Sequence, residues 1–244
     1  MKKILLGIAV VVLLGIAGGV WWLYSSIDSM VASAIRKYGP EITGVSVKLL
    51  SVKIVPADGT ASLRGLVIGN PKDFKTDHAL SLGEISMKLD IGSLTKDVVL
   101  IKEISIIKPD VSYEYGPGGS NLDAIQHNVN NYVVEKTGGK SESKDKGSGK
   151  KFIIENLYVK EGKAEVSAEI LKGKKVSVSL TDLHLRDIGK KSNGATAGEV
   201  TKQVLGAITQ SATKATSSLN LGATVETIKK STESVGEKVK GMFK

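Results

Sequence analysis

The 244-residue sequence contains no cysteine, only three histidines and few aromatic residues, which make up 5% of the chain. A protein without cysteine has neither disulfide bonds nor thiolate metal sites. The histidines, His78, His127 and His184, are far apart, and none has the spacing to a second histidine that a zinc site requires. The lack of thiols is consistent with an oxidising compartment, although many cytosolic domains also lack cysteine.

Arginine is scarce as well, since only Arg36, Arg64 and Arg186 are found among 34 basic residues. The net charge of +9 arises at the termini and in one internal stretch, because residues 28–139 carry 12 basic and 13 acidic side chains and residues 152–189 carry 6 of each. Proteins that bind nucleic acids rely on arginine forks and stacking aromatic rings. The composition therefore argues against a nucleic-acid partner, and the basic C-terminal tail is better suited to anionic lipid head groups.

No motif for catalysis or cofactor binding is complete. The sequence GGKS at residues 138–141 resembles the end of a P-loop, but Val134 occupies the position of the first glycine that the loop requires. The GPGGS stretch at residues 116–120 has too few glycines for a dinucleotide-binding turn, and there is no G-x-S-x-G nucleophile elbow. We therefore expect a protein that is not an enzyme and that binds neither a metal nor a cofactor.

A long apolar run, Ile4 to Leu23, contains no charged residue and follows two lysines. As a helix of twenty residues it would extend about 30 Å, the hydrocarbon thickness of a bilayer. A cleaved signal peptide is the alternative, with a site at Ala32-Ser33-Ala34, but its apolar core would be only about 7–15 residues long. The lysines favour a cytoplasmic N-terminus and an external body. We predict a retained transmembrane anchor over residues 1–27, with apolar and interfacial residues at Ile4, Leu13, Val20, Trp21, Trp22 and Tyr24.

Along the middle of the chain, apolar residues recur with the period of two that is typical of β-strands with one dry and one wet face. Ile85 and Leu89, for example, share a parity. The period slips at Leu49-Leu50, which indicates a β-bulge or a change of face. Residues 98–107 are apolar at both parities, which predicts a central strand buried on both sides. Strands are predicted at about residues 43–55, 60–69, 80–91, 98–108, 110–115, 152–160, 163–170 and 174–186.

Turn and helix signals organise the remainder. Asp58-Gly59 and Glu161-Gly162 predict tight hairpin turns. Helical spacing predicts a helix over residues 28–38 that stops at Gly39-Pro40, a helix over residues 121–135 that Asn121 caps, and two amphipathic helices between residues 197 and 243.

The sequence thus predicts an α+β fold with an N-terminal transmembrane helix, a mainly antiparallel, curved and groove-like β-sheet, and C-terminal amphipathic helices. The predicted segments are an anchor over 1–27, a β module with flanking helices over 28–137, a flexible linker over 138–151, a second β segment of the same sheet over 152–189, and an amphipathic helical tail over 190–244.

The strand predicted over residues 60–69 ends abruptly within the sequence GLVIGNPKDF, which covers residues 65–74. Pro71 lacks the N–H that a sheet ladder requires, and it biases Asn70 away from helical conformations. Asn70 can complete the turn with its own side chain, and Phe74 can fold back over the end of the strand. This explanation of the strand ending requires no function.

Together with its surroundings, this strand ending resembles the N-terminal module of the AsmA-like family. The resemblance covers roughly residues 1–135 and combines short motifs: G-L-x-I-x-N-P-x-x-F, a strand end in S-L, a strand pair ending in P-x-V-x-Y-E, and a helix start G-x-x-N-L. The residues that carry these motifs are Gly65, Leu66, Ile68, Asn70, Pro71, Phe74, Ser93, Leu94, Pro109, Tyr113, Glu114, Asn121 and Leu122.

The resemblance implies a protein anchored in the inner membrane of a double-membrane bacterium, with most of the chain in the periplasm. Members of the family use long β-grooves with an apolar lining and are implicated in envelope homeostasis and glycerophospholipid movement, so membrane lipids are the implied partners. The sheet residues implied to line a path for an acyl chain, here called the lipid-facing candidates, are Ile85, Met87, Leu89, Val166 and Val178.

Two alternatives carry no lipid. In the first, the chain is a structural or adaptor protein of the cell envelope, its own helices fill the apolar sheet face, and its tail contacts the membrane or an envelope protein partner. In the second, the chain is a late-embryogenesis-type β-sandwich, which can also show an N-P strand ending. The chain is also much shorter than the large AsmA-like proteins.

Overall fold

The computed structural model of the protein describes residues 26–116, 119–137, 149–168 and 176–217. These residues form a mixed α+β fold, in which three α-helices lie against one curled, half-barrel β-sheet. The helices are α1 over residues 26–43, α2 (Asn121–Thr137) and α3 (Ala197–Ser217). The strand segments are β1 (Val47–Lys48), β2 (Ser51–Val55), β3 (Thr60–Ile68), β4 (Leu80–Leu89), β5 (Val98–Ile107), β6 (Asp110–Gly116), β7 (Gly119–Ser120), β8 (Lys151–Lys160), β9 (Lys163–Ala168), β10 (Val176–Ser179) and β11 (Leu183–Ile188).

Several predicted elements lie outside the described residues. They are most of the predicted linker, the last amphipathic helix, and the transmembrane anchor with Ile4, Leu13, Val20, Trp21, Trp22 and Tyr24. Within the residues that the structure describes, no helix has the length and apolar character needed to cross a membrane.

Apart from the short β7, the strand segments of the described chain line up as six long strands, because several segments continue one another across a short break. β5 and β6 form one long strand and β8 and β9 another: Ile107 pairs with Lys160 before the break, and Asp110 pairs with Lys163 after it. β10 and β11 continue one another in the same way. The order across the sheet is β1–β2, β3, β4, β5–β6, β8–β9 and β10–β11.

Neighbouring long strands are antiparallel with one exception, the parallel pair formed by β5–β6 and β8–β9. Parallel neighbours need a crossover connection, and the chain between β7 and β8 provides one that includes α2. The predicted mainly antiparallel character of the sheet is therefore confirmed.

One residue in each of the six long strands interrupts the alternation of buried and exposed side chains. These six residues lie side by side in a row across the sheet, here called the bend line. The strand registers align its members, which are Leu50, Gly65, Gly83, Lys108, Glu161 and Thr181. Buried side chains change parity at this row; in β4, for example, Leu82 and Ile85 are both buried although they are three residues apart. Gly65, Lys108 and Glu161 have left-handed backbones, with φ of 62°, 53° and 54°. One extra residue per strand, as in a β-bulge, thus curls the sheet while the same face stays apolar.

Two of the sequence predictions, one for a slip and one for a hairpin turn, fall on the bend line. The slip predicted at Leu49-Leu50 is confirmed, because Leu50 is the member of the bend line in the edge strand. The hairpin predicted at Glu161-Gly162 is wrong. β8 and β9 do not pair with each other there. The chain continues past Glu161 in the same direction, so that β9 pairs with β6 and β10.

The prediction that residues 98–107 are buried on both sides is also wrong. Ile104 and Ile106 are buried, whereas Lys102 and Ile107 are exposed on the other face. Both parities are apolar because a register shift in the β4–β5 pairing moves the inward-facing position by one residue within β5.

Helix α1 runs along the edge strand β1–β2 and satisfies some of its free backbone groups. The Asp28 carboxylate accepts a hydrogen bond from the Ile54 N–H at 2.8 Å, and the Arg36 guanidinium donates to the Leu49 carbonyl at 2.8 Å. Covering an edge in this way removes a template for pairing with other chains.

The stop predicted for α1 at Gly39-Pro40 is wrong, because the helix continues through residue 43. Pro40 removes only one helical hydrogen bond, and the last turn is held by other bonds. The Thr43 hydroxyl donates to the Gly39 carbonyl at 2.8 Å, and the Gly44 N–H donates to the Pro40 carbonyl at 2.9 Å. Gly44 ends the helix with a φ of 69°, the left-handed conformation that commonly follows a last turn.

Helices α2 and α3 both begin with a capping box. At α2 the Asp123 N–H donates to the Ser120 hydroxyl at 3.1 Å, and the Ser120 N–H donates to the Asp123 carboxylate at 3.0 Å. At α3 the Thr196 and Glu199 pair makes the equivalent bonds at 3.2 and 2.7 Å. The cap of α2 is therefore Ser120, and the predicted capping role of Asn121 is wrong.

Candidate functional site

The lipid-facing candidates all lie on one face of the sheet, here called the apolar face, but they are divided by the bend line. Ile85, Met87 and Leu89 lie on β4 on one side of this line, whereas Val166 and Val178 lie on β9 and β10 on the other. The Ile85 row continues across four neighbouring strands through Leu63, Ile106, Val159 and Leu183. The sequence pattern therefore identified the face correctly, but the face is bent rather than a straight trough.

The apolar face is filled by the protein's own helices. Ile85 is 7% exposed and Val166 only 1%, and Met87, Leu89 and Val178 are partly buried against the same core. Residues of the helices that share this core with the sheet are Ala32 of α1, Leu122, Ile125 and Val129 of α2, and Leu205, Ile208 and Ala212 of α3. The helices thus pack on this face and bury much of its apolar surface.

Helices α2 and α3 differ in what they place against this core. Leu122, Ile125 and Val129 of α2 are 0% exposed, so α2 is held by large apolar side chains. The buried positions of α3 include the hydroxyl residues Thr209, Ser211 and Thr216. The Thr209 hydroxyl is buried without a hydrogen-bond partner, which costs free energy in an apolar environment. Asn130 of α2 likewise has a buried side-chain oxygen without a partner, so the two helices differ in the hydroxyl content of their buried faces and not in unpartnered groups.

The two helices lie side by side and run antiparallel. Gly198 at the start of α3 lies against Tyr132 and Val133 near the end of α2, and Gly206 lies against Gln126 about two turns away. Small residues on α3 allow this close approach, so α3 is fixed at one edge by α2 and at the other by the sheet.

Three of the family-motif residues meet in a buried hydrogen-bond network, here called the motif network. Its centre is Asn121, which is 0% exposed. The Asn121 amide donates to the Asn70 side-chain oxygen and to the Ser112 carbonyl, both at 2.7 Å, and its oxygen accepts from the Glu114 N–H at 3.0 Å. The Asn70 amide in turn donates to the Thr76 hydroxyl at 2.7 Å. The network ties together the end of β3, the following loop, β6 and the first turn of α2.

The Glu114 carboxylate closes this network around the loop that follows Pro71. It accepts hydrogen bonds from the Lys75 N–H, at 2.9 Å to each oxygen, and from the Thr76 N–H at 2.8 Å. Desolvation alone would raise the pKa of Glu114, but the hydrogen bonds from Lys75 and Thr76 outweigh it, so the pKa lies below its ordinary value. The carboxylate is thus held ionised as an acceptor.

The other motif residues also have structural positions. Phe74 lies beside Gly116 of β6. The Ser93 hydroxyl donates to the Asp90 carbonyl at 2.7 Å and accepts from the Leu100 N–H at 2.8 Å, which closes the turn into β5. Pro109 and Tyr113 are buried and Leu94 packs against the core. The remaining motif positions, Gly65, Leu66 and Ile68, lie at the bend line or beyond it in β3.

The opposite, polar face of the sheet holds a shallow cavity of about 470 Å³ that the sequence analysis missed. Its lining includes Ser62, Ser86 and Ser105. Lys88 and Glu103 also line it and form an ion pair at 3.0 Å. Within the ranges that the structure describes, no group of His, Asp and Glu side chains is arranged to hold a metal ion.

His184 lies on the same face and stacks on Tyr158, with ring centroids 4.2 Å apart. Partial desolvation, followed by the positive charges of Arg186 and Lys160, lowers the pKa of His184 below its ordinary value. The lowered pKa favours the neutral imidazole, and the stacked rings form a cross-strand contact because His184 and Tyr158 are register partners.

Comparison with known proteins adds no relative to this description: no protein-family model matches the sequence, and no curated protein matches it.

Proposed function

We propose that the protein is a single-pass membrane-anchored protein of AsmA-like type, with its folded body in the periplasm, and that it acts as a structural or adaptor protein without catalysis. The observation that supports this proposal is the filled apolar face: α1, α2 and α3 occupy the surface on which a lipid groove would have to open. The motif residues Asn70, Glu114 and Asn121 use their polar groups on one another and on backbone, which supports a role in building the fold.

The anchoring part of the proposal rests on the apolar run from Ile4 to Leu23, which only two residues separate from the first described residue of α1. The test is extraction of bacterial membranes at high pH, combined with protease treatment of intact spheroplasts. The full chain should remain in the membrane and be cleaved from outside. Release into the soluble fraction, or protection of the body from protease, would refute the proposal.

A matched pair of variants sharpens this test. Leu13→Lys places a charge at the middle of the span, which costs about 3 kcal/mol on insertion scales, and should shift the chain toward the soluble fraction. Leu13→Ala keeps the span apolar and should leave it in the membrane. Equal behaviour of the two variants would argue that residues 4–23 do not span the bilayer.

A second candidate function is the handling of phospholipid acyl chains, and the hydroxyl-rich contact of α3 favours it. In this case α3 moves aside and an acyl chain takes its place beside Val159 and Leu157. The sequence lacks cysteine, so α3 can be locked by one engineered disulfide, Val133→Cys with Gly198→Cys. A Cβ added at Gly198 would lie 3.2 Å from Cγ2 of Val133, close enough for such a bond.

Native mass spectrometry of the full chain, released from detergent, distinguishes the two functions. Lipid handling predicts about one phospholipid per chain in the reduced double-cysteine variant and none in the oxidised form. The adaptor function predicts no retained phospholipid in either form. Equal lipid in both forms would show that α3 does not gate an acyl chain.

A further inference from the structure

The two ends of the sheet differ in what they carry. One of them, here called the basal end, holds the start of α1, because Asp28 bonds to Ile54 near the end of β2. The starts of β5, β8 and α3 and the end of β11 lie at the same end. The opposite, apical end holds the loop after β3 and the turn between β6 and β7. The described chain therefore enters the fold at the basal end.

Five exposed lysines lie at the basal end on the side of β8 and β11. They come from three separate segments and are called here the basic corner: Lys96, Lys150, Lys151, Lys190 and Lys191. The Lys151 N–H donates to the Asp97 carbonyl at 2.9 Å, and the Lys150 ammonium donates to the Lys96 carbonyl. Gly194, from the loop after β11, lies against the Lys151 side chain. These contacts hold the three segments together as one patch.

Most carboxylates near the basic corner already have partners. Asp187 forms an ion pair with Lys190 at 2.8 Å, and Glu155 also lies within electrostatic range of Lys190. The Glu199 carboxylate accepts the Thr196 N–H and hydroxyl in the capping box of α3. Asp97 adds one further negative charge, so the corner holds five lysines against these four carboxylates.

The excess is local to this corner. On the other side of the basal end, below β2 and β4, Asp58 and Asp90 are acidic, and Asp90 pairs with Lys102 at 3.9 Å. At the apical end the described loop after β3 is balanced, with Lys72 and Lys75 against Asp73 and Asp77, and Glu114 of β6 and Asp123 of α2 add two acidic side chains.

We propose that the basal end faces the membrane and that the basic corner binds anionic lipid head groups. This inference rests on the proposed anchor, which would enter beside α1 at the β2 edge, whereas the basic corner lies at the β11 edge. Five strand spacings of about 4.8 Å separate these edges by roughly 24 Å along the sheet. A flat membrane surface that contacts both edges holds the long strands upright, with the apical end away from the lipid.

The test uses the full chain in lipid nanodiscs, one set made of phosphatidylcholine and one containing phosphatidylglycerol. Lysines are labelled with an amine-reactive reagent and read by mass spectrometry. In the anionic discs, labelling of Lys151 and Lys191 should fall about fivefold relative to the neutral discs, because a lysine near an anionic surface gains roughly that factor in partition. High salt should restore the labelling. Lys48 and Lys72, away from the basal end, should be labelled equally in both discs.

Two outcomes would overturn the inference while leaving the proposed anchor intact. The first is equal labelling of Lys151 and Lys191 in both kinds of disc. The second is protection of these lysines only in native membranes, which would assign the corner to a protein partner. A chain that does not stay with either disc refutes the proposed function instead. A matched pair of double variants extends the test. Lys151→Glu combined with Lys191→Glu should abolish the protection of Lys96 from labelling in anionic discs. Lys48→Glu with Lys72→Glu should leave it unchanged.

Discussion

Replacement of Asn121 by alanine tests the structural role of the motif network. The side chain is fully buried, and its loss removes the hydrogen-bond partner of the Asn70 oxygen, the Ser112 carbonyl and the Glu114 N–H. Each buried polar group left without a partner costs about 1–3 kcal/mol. Because water can reach some of these groups after the truncation, we expect a total loss of about 3–5 kcal/mol in the free energy of unfolding.

The assay is thermal unfolding of the full chain in mild detergent, followed by circular dichroism. For a body of this size each kcal/mol lowers Tm by about 2–4 °C, so Asn121→Ala should lower it by roughly 10 °C. Asn128→Ala is the matched control in the same helix, because Asn128 donates one hydrogen bond, to the Thr43 carbonyl at 3.1 Å. It should lower Tm by only about 2–4 °C. Equal losses in the two variants would refute the view that Asn121 is the centre of a network.

Three further predictions follow from named contacts. The lowered pKa of Glu114 means that its ionised form adds stability above the unfolded pKa, and that this stability is lost as the pH falls through the folded pKa. The Tm difference between the wild type and Glu114→Gln should therefore be present at pH 7 and shrink as the pH of the melts is lowered below the ordinary pKa of a glutamate, about 4.3. Gly65→Ala should destabilise by about 1–3 kcal/mol in thermal melts, because its φ is 62° and its Cβ would lie 2.9 Å from that of Leu50. Gly83→Ala, with no atom within 4 Å, is the neutral control, and equal effects would contradict the argument. Deletion of residues 197–244 should expose the apolar face and increase binding of a hydrophobic dye, and an unchanged signal would show that α3 is not its cover.

The sequence pattern was informative where one physical rule dominates. The alternation around Ile85 identified a strand and its dry face, since a period of two fixes the face of every side chain. The slip at Leu49-Leu50 was visible because two leucines are adjacent. The same slip at Lys108 and Glu161 was not visible, because neither residue type signals a left-handed backbone.

Errors arose where a local signal competes with tertiary contacts. Gly39-Pro40 looked like a helix stop, but Pro40 removes one bond only, and the true stop is Gly44. Asn121 looked like a cap because asparagine often caps helices, yet the preceding Ser120 has the capping-box partner. Its role in the motif network could not be predicted, since Asn70 lies far away in sequence and a short motif does not specify partners.

The bend line makes the lengths of the long strands interdependent. Removal of a single residue such as Gly83 would turn the neighbouring half of its strand over, sending buried side chains to water and polar ones inward. The other strands would keep their own extra residue, so no shift of the altered strand could restore both halves at once. Insertions and deletions are therefore tolerated in the connecting loops. A change of strand length, by contrast, must occur in all neighbouring strands together if the sheet is to keep its shape.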